Sequence, residues 1–165
     1  MSLIPERLRK VARRRPKVEI GWCELVDLPT FGLSNVPAKM DSGAATSAIH
    51  ASRIKPLARD GELWVEFWFR TKAGDKAKRY EAKVIDQRMV RSSNGERQER
   101  YVIEAQLCLG KLCWNGELTL ANRRAMTFPI LVGRQALKKG FLVNSARRWM
   151  LGRGHDVDHD EMGHD

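Results

Sequence analysis

The chain has fewer acids than bases, few cysteines and no long apolar run, and each lack excludes something. Against 30 lysines and arginines stand only 20 aspartates and glutamates, a formal net charge of +10 over 165 residues. Such a surplus favours polyanionic partners: nucleic acid, ribosomes, acidic membrane or acidic peptide. Solubility alone is the bland reading, and the uneven placement of the charge weighs against it. The three cysteines, Cys23, Cys108 and Cys113, are too few and odd in number for a disulfide framework, and fit a reducing compartment with free thiols. No apolar run approaches the roughly 20 residues needed to span a bilayer. The basic N-terminus lacks the apolar segment of a secretory signal, so the expected address is the cytoplasm and no membrane partner is expected. There is no His-Glu-x-x-His and no Walker-type glycine loop, which removes the commonest zinc and nucleotide signatures. Internal repeats and amphipathic helical stretches are also missing.

What is present is mostly short alternating segments. The length favours one domain, expected over residues 18–152 between a basic arm, residues 1–17, and a His/Asp-rich tail, residues 153–165. The arm reads as an electrostatic tether, with Pro16 ending any helix. The tail interleaves His155, His159 and His164 with aspartates, a metal-binding composition; without apolar residues to order it, an acidic disordered tail is the ordinary reading. Val18 to Val26 reads as a strand, and residues 28–37, with two prolines and a glycine, as a loop. Residues 46–57 read as extended, with a turn at Asp60-Gly61. Leu63, Val65, Phe67 and Phe69 alternate toward a core, with Trp64 and Trp68 on the other face for packing or, alternatively, for a substrate or subunit contact. Residues 80–86 and 101–109 flank a polar connection rich in arginine. Asn94-Gly95 there suits a two-residue hairpin turn. Cys108 and Cys113 fall nearly opposite each other across a hairpin turning at Gly110-Lys111, read as two reduced thiols. Arg134 to Lys139 reads as a short helix with Gly140 as a left-handed cap, and residues 141–144 and 149–151 as closing the sheet. Short strands in this number, with one short helix near the C-terminus, give an all-β, closed barrel-like fold.

Two stretches carry chemistry. In Lys39-Met40-Asp41-Ser42-Gly43-Ala44, a carboxylate ends an apolar strand. Gly43 permits a sharp turn, and the Ser42 hydroxyl can pin it. So held, Asp41 faces outward and can activate a water; an ordinary Asp-Ser-Gly turn is the structural alternative. The second stretch, Phe128-Pro129-Ile130-Leu131-Val132-Gly133-Arg134, is a buried strand ending at a glycine.

Together these stretches resemble the retropepsin-like aspartic peptidases, which pair an Asp-Thr/Ser-Gly-Ala loop with a later apolar-Gly-Arg strand. More narrowly, Asp41 through Ala51 and residues 128–152 are similar to a bacterial branch labelled "ATP-dependent zinc protease". The resemblance implies the acid-protease fold and catalysis by Asp41, supported by Ser42 and Gly43, with no cofactor and no metal. It implies substrate contacts at Ala44, Gly133 and Arg134. It also makes the hairpin between residues 88 and 100 the flap candidate, with Arg91, Asn94, Gly95 and Arg97 toward substrate; a solvated surface hairpin is the alternative. Where the viral enzymes place an acid to steady the arginine, this chain has Ala45, which leaves the partner of Arg134 open. His50 belongs to the branch motif and reads as a hydrogen-bonded core histidine, or else as a substrate contact or ligand.

Hydrolysis by carboxylates needs two sharing one proton. One Asp-Ser-Gly per chain therefore implies a symmetric homodimer with the site on its twofold axis. The arginines point to a restricted, acidic or glutamate-tailed protein substrate. The branch's association with a ribosomal-protein glutamate ligase implies a role in ribosomal-protein modification. The alternatives are a zinc-dependent peptidase and a non-catalytic RNA- or ribosome-binding module on a peptidase scaffold.

Overall fold

Alternation carries most of the chain into strands. The structure, a computed structural model, describes residues 17–72, 74–91, 95–122 and 128–152. In chain order these hold β1 (Val18–Gly21), β2 (Cys23–Leu28), a single 3-10 turn (Pro29–Phe31), β3 (Leu33–Asp41), β4 (Ser47–Arg59), β5 (Glu62–Phe69), β6 (Lys78–Arg91), β7 (Arg97–Leu109), β8 (Leu112–Ala121), β9 (Ile130–Gly133), α1 (Arg134–Leu137) and β10 (Phe141–Asn144). Apart from Lys17, the expected basic arm and tail lie outside the described residues.

One eight-stranded sheet runs β2-β3-β9-β4-β5-β6-β7-β8, and further pairings of β2 with β7 and of β4 with β8 return it on itself. The all-β expectation, with one short helix near the C-terminus, is what the structure shows. Inside lie Val26, Val36, Ile49, Val65, Phe67, Ile103, Leu107 and Ile130. Leu118 to Ala121 is buried at four successive positions, where β8 pairs with both β7 and the parallel start of β4. A strand covered on both faces reads as an unbroken run rather than an alternating one. Phe31 packs edge-on to Phe67 and Tyr80, and burial raises the Tyr80 phenol above its ordinary pKa. On the outer face of β5, Trp64 and Trp68 are half-buried beneath the guanidinium groups of Arg59 and Arg53, the packing role read from the sequence.

Several boundaries differ from expectation. The first strand is broken at Trp22, because Gly21 passes so close to the 147–148 backbone that a Cβ there would stand 2.5 Å from Arg147 O. The expected loop over residues 28–37 instead enters β3 at Leu33, with Pro37 one residue before pairing to β9 begins. The β6–β7 hairpin has the expected arms, which pair as far as Arg91 opposite Arg97; the expected Asn94-Gly95 turn lies partly outside the described residues. Gly140 is not a left-handed cap; α1 stops at Leu137, and the Gly140 carbonyl accepts the Val18 N–H. β10 pairs with β1 as a separate parallel ribbon, and residues 149–151 are not a strand. Asp60-Gly61 does turn β4 into β5, with both residues at positive φ as a type I′ turn requires. Cys108 and Cys113 are opposite one another as read, but they form a disulfide rather than two thiols. Their Cα atoms, 4.1 Å apart across the hairpin, bring the sulfurs within bonding reach.

Candidate active site

The sheet order explains the shape of the Asp41 loop. β9 lies between β3 and β4, the two strands that residues 42–46 connect, so the loop must arch over the end of β9. Asp41 thereby stands beside Gly133 in register. Gly133 is required by that crossing: a Cβ there would sit 2.5 Å from the carbonyl carbon and oxygen of Thr46. Substituting Gly133→Ala should therefore displace the loop and cost about 1–3 kcal/mol or more. Urea denaturation would measure this, and a wild-type midpoint would show that the crossing tolerates a side chain.

The loop is then laced to what it crosses. The Arg134 and Gln135 N–H groups, orphan donors at the start of α1, donate to the Ala44 and Ala45 carbonyls at 2.7 and 3.1 Å. The Gly133 N–H donates to Ser47 Oγ at 3.0 Å, and Ser47 is 6% exposed. The Arg134 guanidinium donates to the Ser42 carbonyl at 3.0 Å. That bond supplies the partner for Arg134 left open by Ala45. It also means that Ser42 binds within the chain through its carbonyl, while its side chain stays on the exposed side of the loop.

Asp41 itself is half-buried. Its Oδ1 accepts the Gly43 N–H at 3.1 Å, and its carbonyl accepts the Ala44 N–H at 3.2 Å. A Cβ on Gly43 would come within 3.3 Å of the same Oδ1, so glycine leaves the approach to the carboxylate open. The result is a carboxylate of fixed orientation at the rim of a rigid sheet, with Ser42 and Gly43 exposed beside it. Such a group can hold and polarise a water, and two of them in contact would share a proton.

Asp41, Ser42, Gly43, Ala44, Gly133 and Arg134 are thus brought together. Arg91 and Arg97 are backbone partners in register at the far end of the β6–β7 hairpin, a separate element, with Gly95 at φ 86° in the connection. Asn94 lies outside the described residues. Midway along the hairpin Arg88 donates to Glu117 at 2.8 Å and to Asp86 at 2.9 Å. Those bonds, Glu117 first, hold its guanidinium above the ordinary pKa. His50 is half-buried, and its backbone N–H donates to the Pro129 carbonyl at 2.9 Å, tying β4 to the approach to β9. Among the described residues no three His, Cys, Asp or Glu side chains gather as a metal site would require.

Two positioning residues escaped sequence reasoning. Ser47 was visible only as part of the Thr46-Ser47 pair, with nothing to say its hydroxyl would face β9. Glu24 is fully buried, and its carboxylate accepts the N–H groups of Gly21, Met150 and Leu151 at 2.7, 2.9 and 3.1 Å. The available signal was an acid inside the apolar run from Ile20 to Val26.

Comparison with known proteins covers the same ground. The chain is 41% identical over 143 residues to a protein of Shewanella halifaxensis (strain HAW-EB4) named "Probable alpha-L-glutamate ligase", a match covering 86% of this chain and 31% of that one. A protein of the same name from Parasynechococcus marenigrum (strain WH8102) is 40% identical over 148 residues, 88% of this chain and 31% of its own length. The chain thus spans less than a third of these curated relatives. Among solved structures, a protein of unknown function from Legionella pneumophila subsp. pneumophila str. Philadelphia 1 superposes with a TM-score of 0.67 at 24% identity, over 81% of this chain and 98% of that one, a likeness of fold. The profile described as "Retropepsin-like aspartic endopeptidase RimB" matches residues 19–153, from β1 past the last described residue and across both the Asp41 loop and the strand beneath it. On that match the chain belongs to the RimB-like family of retropepsin-like aspartic endopeptidases.

Proposed function

We propose that the chain is a homodimeric aspartic endopeptidase in which Asp41 of one copy and Asp41 of its partner share one proton and hold the attacking water. One carboxylate takes a proton from the water while the other donates to the scissile carbonyl oxygen. The observation that carries this reading is the Asp41 loop: one carboxylate oxygen fixed by the Gly43 N–H, the loop laced to Gly133 and Arg134, and its outer side exposed. Ser42 on that outer side is placed to brace the partner's loop.

The substrate in this reading is acidic, in keeping with the net charge of +10 and with Arg97 on the exposed far end of the β6–β7 hairpin, which acts as the flap. The name carried by the relatives, a glutamate ligase, favours one acidic class, a protein bearing added glutamates.

Mixing wild-type chain with an excess of Asp41→Asn chain tests the shared site. Heterodimers would hold one carboxylate, so activity should fall well below simple dilution; at equal amounts about a quarter of randomly formed dimers keep both aspartates. Activity that falls only in proportion to wild-type content would mean each chain works alone. A zinc-dependent reaction is separated by a chelator: turnover on a glutamate-tailed peptide should be unchanged by it and suppressed by a peptidic aspartyl inhibitor.

A further inference from the structure

A pocket of about 360 Å³ lies on the far side of the Asp41 loop's anchor, between the start of β4, β8 and α1 with its following turn. Its polar lining is dominated by hydrogen-bond donors: the Trp114 indole, the amides of Asn115 and Gln135, the Thr46 hydroxyl and the Lys139 ammonium. The one acid in the wall, Glu117, is engaged at 2.8 Å by Arg88, a guanidinium it shares with Asp86.

Trp114 is the telling member. It is 8% exposed, yet its Nε1–H donates to nothing among the described residues. A buried donor without an acceptor is rare and calls for a partner. The nitrogen edge of the indole lies at Gly116, also in the pocket wall; a Cβ there would stand 2.9 Å from Nε1 and cover it. Glycine at 116 thus keeps the indole N–H uncovered on that side.

We propose that this pocket binds a carboxylate, with the Trp114 N–H and the Lys139 ammonium as its principal donors and the flanking amides completing the set. A charge-assisted bond to Lys139 supplies the attraction, and the indole supplies a directed donor. The assignment is independent of peptide cleavage. The carboxylate could belong to a free amino acid or to the acidic side chain of a bound peptide, and the pocket's chemistry is the same for both.

The test is a titration of the full chain followed at the Trp114 indole N–H resonance, identified by its loss in Trp114→Phe. Free glutamate and a capped tetraglutamate peptide are the probes, with N-acetylglutaminamide, which has no carboxylate, as the uncharged control. The expected result is a saturable shift with one or both acids, with dissociation constants of about 1 mM or below, little or no shift with N-acetylglutaminamide, and at least about tenfold weaker binding in Lys139→Met. Lys139 is exposed, so that variant should melt like wild type and isolate the charge. A shift with free glutamate identifies a small-molecule site; a shift confined to the peptide identifies a docking point for an acidic chain. Equal binding of N-acetylglutaminamide, no movement with either acid, or undiminished binding by Lys139→Met would overturn the assignment.

Discussion

Replacing Asp41 by Asn should lower peptide cleavage by about 10²–10⁴-fold or more, the range lost when a positioned acid–base group is removed. Asn keeps the shape and can still accept the Gly43 N–H through its amide oxygen, so the loop and its bonds to Arg134 and Gln135 should persist. The amide cannot take a proton from water, and a pair of amides has no proton to share. The loss should therefore appear in kcat, with an unchanged melting temperature and unchanged self-association by sedimentation. Residual turnover near wild type would remove Asp41 from the chemistry. A collapsed fold would instead assign it a structural role.

The second large effect is expected far from that loop. Glu24→Ala leaves three N–H groups, those of Gly21, Met150 and Leu151, without their acceptor in a place where Glu24 itself is fully buried. Each unsatisfied buried donor costs about 1–3 kcal/mol before water relieves it. A loss of about 3–5 kcal/mol follows, in line with removal of a buried charged partner. At about 2–4 °C per kcal/mol for a chain of this size, the melting temperature should drop by about 10 °C. Glu24→Gln should not restore it, because the new amide N–H groups face donors. Amide exchange should quicken first at Met150 and Leu151, the segment the carboxylate ties to β1 and β2. A melting temperature within a degree or two of wild type would show that this carboxylate does not hold the C-terminal segment.

The strands and the Asp41 loop were legible because their signals are local. Val65, Phe67 and Phe69 alternate within one strand, and an Asp-Ser-Gly at a strand end is readable in three letters. What was not legible depends on residues distant in sequence. Glu24 looks like a misplaced acid until residues 150 and 151 arrive with their N–H groups. Arg134 found its acceptor in a backbone carbonyl 92 positions away, and no side-chain pattern encodes a carbonyl. Pro37 argued for a loop, yet β2 recruits residues 33–37 into the sheet, so tertiary pairing overrides the local preference. The cysteines were misread for a related reason: counting three of them speaks to redox compartment, whereas the register of β7 on β8 brings Cys108 and Cys113 together.

The account turns on whether two copies meet at the Asp41 loop. Determining the structure of the assembled chain and measuring the separation of the two Asp41 carboxylates tests it most directly. The expected result is a symmetric pair with carboxylate oxygens about 3 Å apart, close enough to share a proton. A monomer, or a dimer that buries another surface and leaves the two carboxylates beyond the reach of a common water, would contradict it.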